Sequence, residues 1–179
     1  MNTALLVIDV QLGGFDGIKF PPMHNDGDLV EAVNKSIKAI RQRNIPVIFI
    51  QHSGEPGSAF EKDTAGWPVH PALDSRPGDD VIHKRESNGF DGTNLEQVLQ
   101  DKRIDTVITC GLQSEFCVAN TSIGALDSGR KVIVIADAHG TEDTSVADAP
   151  MVVKKQNDRL ARKGATLLHI SELATTKLI

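Results

Sequence analysis

Five consecutive apolar residues, Ala4-Leu5-Leu6-Val7-Ile8, stand near the start of the chain and stop at Asp9. The run lacks polar alternation, so neither face of a strand made from it can be left to water. Such a strand belongs inside a parallel sheet covered on both faces. Similar runs recur at Val47–Ile50, Val81–His83, Asp105–Cys110, Lys131–Ala136 and Ala165–Ile170. Between them lie segments of helical period. Leu29, Val33, Ile37 and Ile40 share one face of a helix expected over residues 28–43, which Pro46 prevents from continuing. Thr93–Asp101 reads as a short helix with Thr93 or Asn94 as its N-cap. Cys117–Ser128 reads as another, ended by Gly129, and 150–163 as a last one with Pro150 in its first turn. Buried strands alternating with helices specify an α/β fold with right-handed crossovers.

The 179 residues fit one domain, taken as 1–179, with no repeat or linker. Nineteen Lys and Arg stand against 24 Asp and Glu, a net charge of -5 without basic blocks. That balance excludes nucleic acid and anionic membrane surfaces as partners. No apolar stretch approaches the roughly 20 residues that span a bilayer. The N-terminus reads as a strand rather than a signal peptide, and the two cysteines make no disulfide framework. Both point to the cytoplasm. Residues 51–80 break the alternation with four Pro, four Gly and two His. A connection of that length is expected to line a site.

Ligands of open α/β sheets bind beyond the carboxyl ends of the strands. Three reactive side chains fall there. Asp9 ends the first strand, Lys84 follows the third, and Cys117 sits after the fourth at a helix start. A thiol at that place is expected to ionise below the ordinary value near 8.5, favoured by the helix-terminal amides. A carboxylate to move its proton and an ammonium to stabilise the anion complete an activated nucleophile suited to attack on an amide carbonyl. Each residue also has a plain structural role open to it: a turn cap, an ion pair, a small core thiol.

Three stretches, LLVIDVQ, HKRESNGFDGTNLEQVL and VITCGLQSEFCVANTSIGALDSGRKVIVIADAHGT, together resemble the isochorismatase-like cysteine hydrolases. The resemblance covers nearly the whole chain, in order. It implies a Rossmann-like, three-layer α/β/α fold with six parallel strands in the order 3-2-1-4-5-6, and a homodimer or homotetramer. It implies a catalytic triad of Asp9, Lys84 and Cys117, a cis peptide at Leu112–Gln113, and an oxyanion site made by the backbone amides of Gln113 and Cys117. The activity implied is hydrolysis of a small-molecule amide or related C–N bond through a Cys117 thioester. The presence of Cys117 argues against the vinyl-ether hydrolases of the superfamily, which lack it. Where many members carry Thr-Asp in the nucleophile turn, this chain has Ser114-Glu115-Phe116, which places Glu115 at the pocket or at a subunit contact.

No cofactor is expected. There is no G-x-G-x-x-G turn for a dinucleotide. Nicotinamidases bind a metal through an Asp-x-His pair and a further His, whereas Gln51-His52-Ser53 offers no carboxylate, and His52 with His70 alone makes no zinc site. Phe15, His52, Trp67, Phe90 and Phe116 are the expected substrate-pocket walls. His139 is expected to be a turn residue capping the fifth strand, and Cys110 a buried, inert thiol. The alternatives are a metal-using nicotinamidase-type amidase and a non-catalytic binding or redox-sensing protein on the same fold.

Overall fold

A computed structural model describes residues 2–21 and 23–178. Six strands run β1 Asn2–Ile8, β2 Val47–His52, β3 Asp80–Lys84, β4 Ile104–Leu112, β5 Lys131–Gly140 and β6 Thr166–Leu168. All neighbours are parallel, in the order β3-β2-β1-β4-β5-β6. Among the described residues four α-helices lie between strands: α1 Asp26–Arg41, α2 Leu95–Asp101, α3 Ala119–Asp127 and α4 Ala149–Arg162. The expected fold and strand order are therefore those observed.

Two apolar cores form, one on each sheet face. Alternate residues of β1 feed them: Leu5 and Val7 enter one, Ala4, Leu6 and Ile8 the other. The first core is closed by the Val33, Ile37 and Ile40 face of α1, and the second takes Leu95 and Leu99 of α2 and Leu160 of α4. Acidic Asp26 and Asp28 begin α1, and Lys38 and Arg41 end it, each sign complementing the helix dipole. The Asp148 carboxylate caps α4 by accepting the Met151 N–H at 2.9 Å.

Several boundaries differ from the sequence reading. α2 starts at Leu95 with Asn94, one of the two expected residues, as its N-cap, and Thr93 stays outside the helix, where its Oγ1 accepts the Leu95 N–H at 3.1 Å and donates to the Gly89 carbonyl at 2.7 Å. β4 and β5 run on to Leu112 and Gly140, since their ends pair with each other through Leu112 and Gly140. β6 is shorter than expected, and Ile170–Glu172 turns into a 3₁₀ helix. The expected helix at Cys117 begins instead as a wide turn, Ser114–Val118, closed by the Val118 N–H on the Gln113 carbonyl at 3.1 Å.

β4 passes β1 at Gly111, opposite Ile8. Gly111 has φ +116°, and a Cβ there would lie 2.1 Å from the Ile8 carbonyl oxygen. Only glycine fits that approach. It sets the last residues of β4 beside Asp9.

The long connection after β2 is anchored by buried amides. Gln11 donates to the carbonyls of His52 and Trp67 at 3.0 and 2.7 Å, and Gln51 donates to the Trp67 carbonyl at 2.7 Å. Further along, the Arg41 guanidinium grips Asp79 through two hydrogen bonds, at 3.0 and 2.6 Å.

Candidate active site

Asp9 leaves β1 with φ +52°, a left-handed conformation that aspartate tolerates better than most residues. Its N–H donates to the Ile50 carbonyl at 2.8 Å, so the turn is tied to β2. Lys84 is the last residue of β3, and its side chain is wholly buried. Its Nζ lies 2.6 Å from Asp9 Oδ2 and 3.2 Å from Cys117 Sγ. The same ammonium donates to the Glu86 carbonyl at 3.1 Å and meets His52 Nδ1 at 3.3 Å. Cys117 is partly buried in the wide turn after β4. The three side chains that the sequence placed on separate strand ends therefore meet.

A hydroxyl also reaches the sulfur. Ser87 Oγ lies 3.8 Å from Cys117 Sγ and accepts from Asn120 Nδ2 at 2.8 Å, which leaves its own proton for the sulfur. Nothing in the sequence spacing marks Ser87 or Asn120.

Burial pushes the Asp9 carboxyl up from its ordinary range, against the opposing pull of Lys84. Burial and the Asp9 charge push the Cys117 thiol up to about 11, with Lys84 opposing. Both effects run opposite to the lowering expected from the helix-terminal amides. The turn that presents Cys117 holds it partly buried beside the Asp9 carboxylate. Burial favours the neutral form of the thiol, and it faces a carboxylate whose Oδ1 is buried without a hydrogen-bond partner. Such a carboxylate is suited to receive the thiol proton on demand.

Beside them lies a cavity of about 140 Å³, walled by Phe20, Met23, Phe60 and Leu112 and bordered by Asp9, Cys117, Gln113 and His52. The peptide bond Leu112–Gln113 is cis. Of the expected pocket walls only His52 borders this cavity. Phe15 packs edge-on against His70, centroids 5.1 Å apart, in a separate groove. Trp67 stacks on His83 and donates Nε1–H to Ser53 Oγ at 3.1 Å. Phe90 packs against the core on the Cys117 side of the sheet, and Phe116 points outward, 54% exposed. The apolar walls come instead from Phe20 and Phe60, stacked at 5.5 Å. They lie in irregular segments where no periodicity reports direction.

His139 also differs from its expected place. It is a buried member of β5, not an exposed turn residue, because that strand runs on to Gly140. Its Nδ1 meets Ser114 Oγ at 2.8 Å and its Nε2 meets Asn157 Oδ1 at 2.9 Å. Asn157 Nδ2 donates to the Ala136 carbonyl at 3.0 Å, so Oδ1 accepts and the His139 proton sits on Nε2. Ser114 then donates to Nδ1, and the turn that carries Cys117 is fastened to β5 and α4. Burial pushes the His139 pKa down, in keeping with a neutral ring. Glu115 is partly buried beside the turn, where its Oε1 accepts from Thr141 Oγ1 at 3.0 Å.

A metal does not fit the donors present. Among the described residues no three His, Cys, Asp or Glu side chains are placed to hold a metal ion together. His52 and His70 border different cavities, and His52 Nδ1 faces an ammonium, which repels a cation. Cys110 is fully buried and its thiol is pushed well above the ordinary range by burial. It belongs to the core on the opposite sheet face from Cys117, so it cannot serve Cys117 as a resolving thiol. Among the described residues no helix is long and apolar enough to cross a membrane.

The isochorismatase domain model matches residues 3–165. A streptothricin hydrolase from Streptomyces noursei is 35% identical over 145 residues, 80% of this chain and 56% of the relative. The chain spans about half the length of the streptothricin hydrolases it matches. Among solved structures, a candidate isochorismatase hydrolase from Oleispira antarctica superposes with a TM-score of 0.90 at 27% identity, covering 98% of this chain and 97% of that one. N-carbamoylsarcosine amidase from Thermoplasma acidophilum superposes at 0.79 with 27% identity, over 96% and 98% of the two chains. With the domain model matched along most of its length and these relatives sharing its fold, the chain belongs to the isochorismatase family.

Proposed function

We propose that the protein is a metal-independent cysteine amidohydrolase acting on a small-molecule C–N bond. The observation that carries this reading is the meeting of Asp9, Lys84 and Cys117, with Nζ 2.6 Å from the carboxylate and 3.2 Å from the sulfur. The name of the similar N-carbamoylsarcosine amidase supports the same bond class, and that of the similar streptothricin hydrolase supports hydrolysis.

In this reading the Asp9 carboxylate takes the Sγ–H proton as Sγ attacks the carbonyl carbon. Lys84 and Ser87 donate to the sulfur while it carries charge. The backbone amides of Gln113 and Cys117 hold the oxyanion of the tetrahedral adduct, where preorganised donors count most. The C–N bond breaks, and the leaving nitrogen takes the proton from Asp9. Asp9 then accepts a proton from water as the water oxygen attacks the thioester carbonyl carbon, the C–S bond breaks, and the departing sulfur takes the proton back from Asp9, which frees the carboxylic acid and restores the thiol. The cavity of about 140 Å³ accepts only a compact group at the reacting end, against the Phe20 and Phe60 rings.

The test is product release from a panel of nicotinamide, carbamoyl compounds, biuret-like ureides and small lactams, with wild type and Cys117→Ala compared after chelator treatment. Turnover that survives chelation and disappears in the variant is expected. Chelator-sensitive turnover would favour the nicotinamidase-type alternative, and turnover surviving in Cys117→Ala would remove the nucleophile.

A further inference from the structure

Lys84 has three N–H bonds and four neighbours able to accept one. Asp9 Oδ2 lies at 2.6 Å, the Glu86 carbonyl at 3.1 Å, Cys117 Sγ at 3.2 Å and His52 Nδ1 at 3.3 Å. An ammonium only donates, so its contact with Nδ1 requires a lone pair there and puts the ring proton on Nε2. The carboxylate, as the charged and nearest acceptor, keeps one hydrogen, and the main-chain carbonyl keeps a second. The third is contested between the imidazole and the sulfur. A neutral thiol is a weak acceptor, whereas a thiolate makes a charge-assisted bond. The imidazole holds the hydrogen while the thiol is protonated, and the sulfur takes it once the thiol proton has gone to Asp9.

From this count we propose that His52 is a positioning residue, the alternate acceptor that holds the third Lys84 hydrogen in the resting enzyme and yields it to Sγ as the thiolate forms. The proposal rests on Cys117 being the nucleophile. The fold builds the contact deliberately. His52 and Lys84 pair in register on adjacent parallel strands. The His52 backbone is clamped on both sides by the buried Gln11 amide, which accepts its N–H at 2.7 Å and donates to its carbonyl at 3.0 Å. Burial and the Lys84 charge push the His52 pKa down, which keeps Nδ1 free to accept. The other charged groups around this cluster are Asp9, at the end of β1, and Glu86, whose charge acts on His52.

A competing acceptor makes the thiolate harder to form, so its removal should make Cys117 more acidic. Short iodoacetamide pulses across a pH series, read by mass on the Cys117 peptide, give the alkylation midpoint without a known substrate. His52→Phe keeps a ring but no acceptor, and its midpoint is expected to fall by about half to one pH unit, the worth of one neutral hydrogen bond. His52→Asn offers Oδ1 close to where Nδ1 lies and is expected to stay at the wild-type midpoint. His52→Leu is expected to follow His52→Phe and serves if the aromatic ring does not pack. A midpoint that is unchanged or raised in the variants lacking an acceptor, or one that falls equally in His52→Asn, overturns the proposal. Failure of the nucleophile reading shows separately, as turnover that survives Cys117→Ala.

Discussion

At the level of single residues, burial works against a standing anion at Cys117. Burial raises both Asp9 and Cys117, and the Lys84 ammonium between them opposes both shifts. Alkylation of wild-type Cys117 is therefore expected to titrate near 11, well above the 8.5 of a free thiol, and a midpoint at or below 8.5 would contradict the described burial. Asp9→Asn cannot take the proton and is expected to lower kcat by about 10⁴-fold, the scale seen when one member of a triad is disabled. Retained turnover would remove Asp9 from the mechanism. Lys84→Met leaves the Asp9 carboxylate buried without a counter-ion, so it should destabilise the fold by about 3–5 kcal/mol as well as abolish turnover. Denaturant unfolding at neutral pH measures this. The loss should shrink toward acid pH, where Asp9 can take up a proton instead. These three residues were legible because each ends or follows an apolar run, and strand ends of a parallel sheet converge. Phe20, Met23 and Phe60 were not legible, because side-chain direction in irregular backbone depends on neighbours far away in the chain.

At the level of elements, the ends of β4 and β5 decide the geometry. β4 reaches Leu112 only because Gly111 lets it pass the Ile8 carbonyl. Gly111→Ala combines a positive φ with a backbone clash and is expected to cost about 3 kcal/mol or more, with loss of turnover even where the protein still folds. Wild-type stability in that variant would show that β1 and β4 can separate there without cost. The extra length of β5 buries His139 and turns it into the link between Ser114 and Asn157. The sequence around Asp137-Ala138-His139 reads equally well as a turn, since its polar residues are the ones found at exposed strand ends. Only pairing with the extended β4 makes it strand.

For the whole molecule, buried neutral histidines tie stability to pH. The folded pKa of His139 is depressed by burial, so the unfolded chain binds its proton first as pH falls. Stability should therefore be intact above the ordinary value near 6.5 and decline below it. His139→Gln, which has no such group, should flatten that decline in thermal unfolding measured from pH 7.5 to 5. An equal decline in the variant would assign it to other groups. The long connection after β2 shows the limit of composition. Its Pro and Gly content announced an irregular segment of functional length, and Phe60 of that segment does wall the cavity. Trp67, its most conspicuous residue, is held elsewhere, stacked on His83.

The sequence by itself determined the parallel α/β architecture, because burial on both faces leaves continuous apolar runs that no other arrangement would hide. Through the positions of Asp9, Lys84 and Cys117 it also determined where reactive groups would gather. The tertiary structure decided their protonation, the walls of the cavity and the partners of Lys84. Those depend on burial and on distances of a few ångströms between residues dozens of positions apart. Periodicity reports which face a side chain takes, but the pKa of a thiol and the owner of a shared hydrogen depend on what stands opposite it.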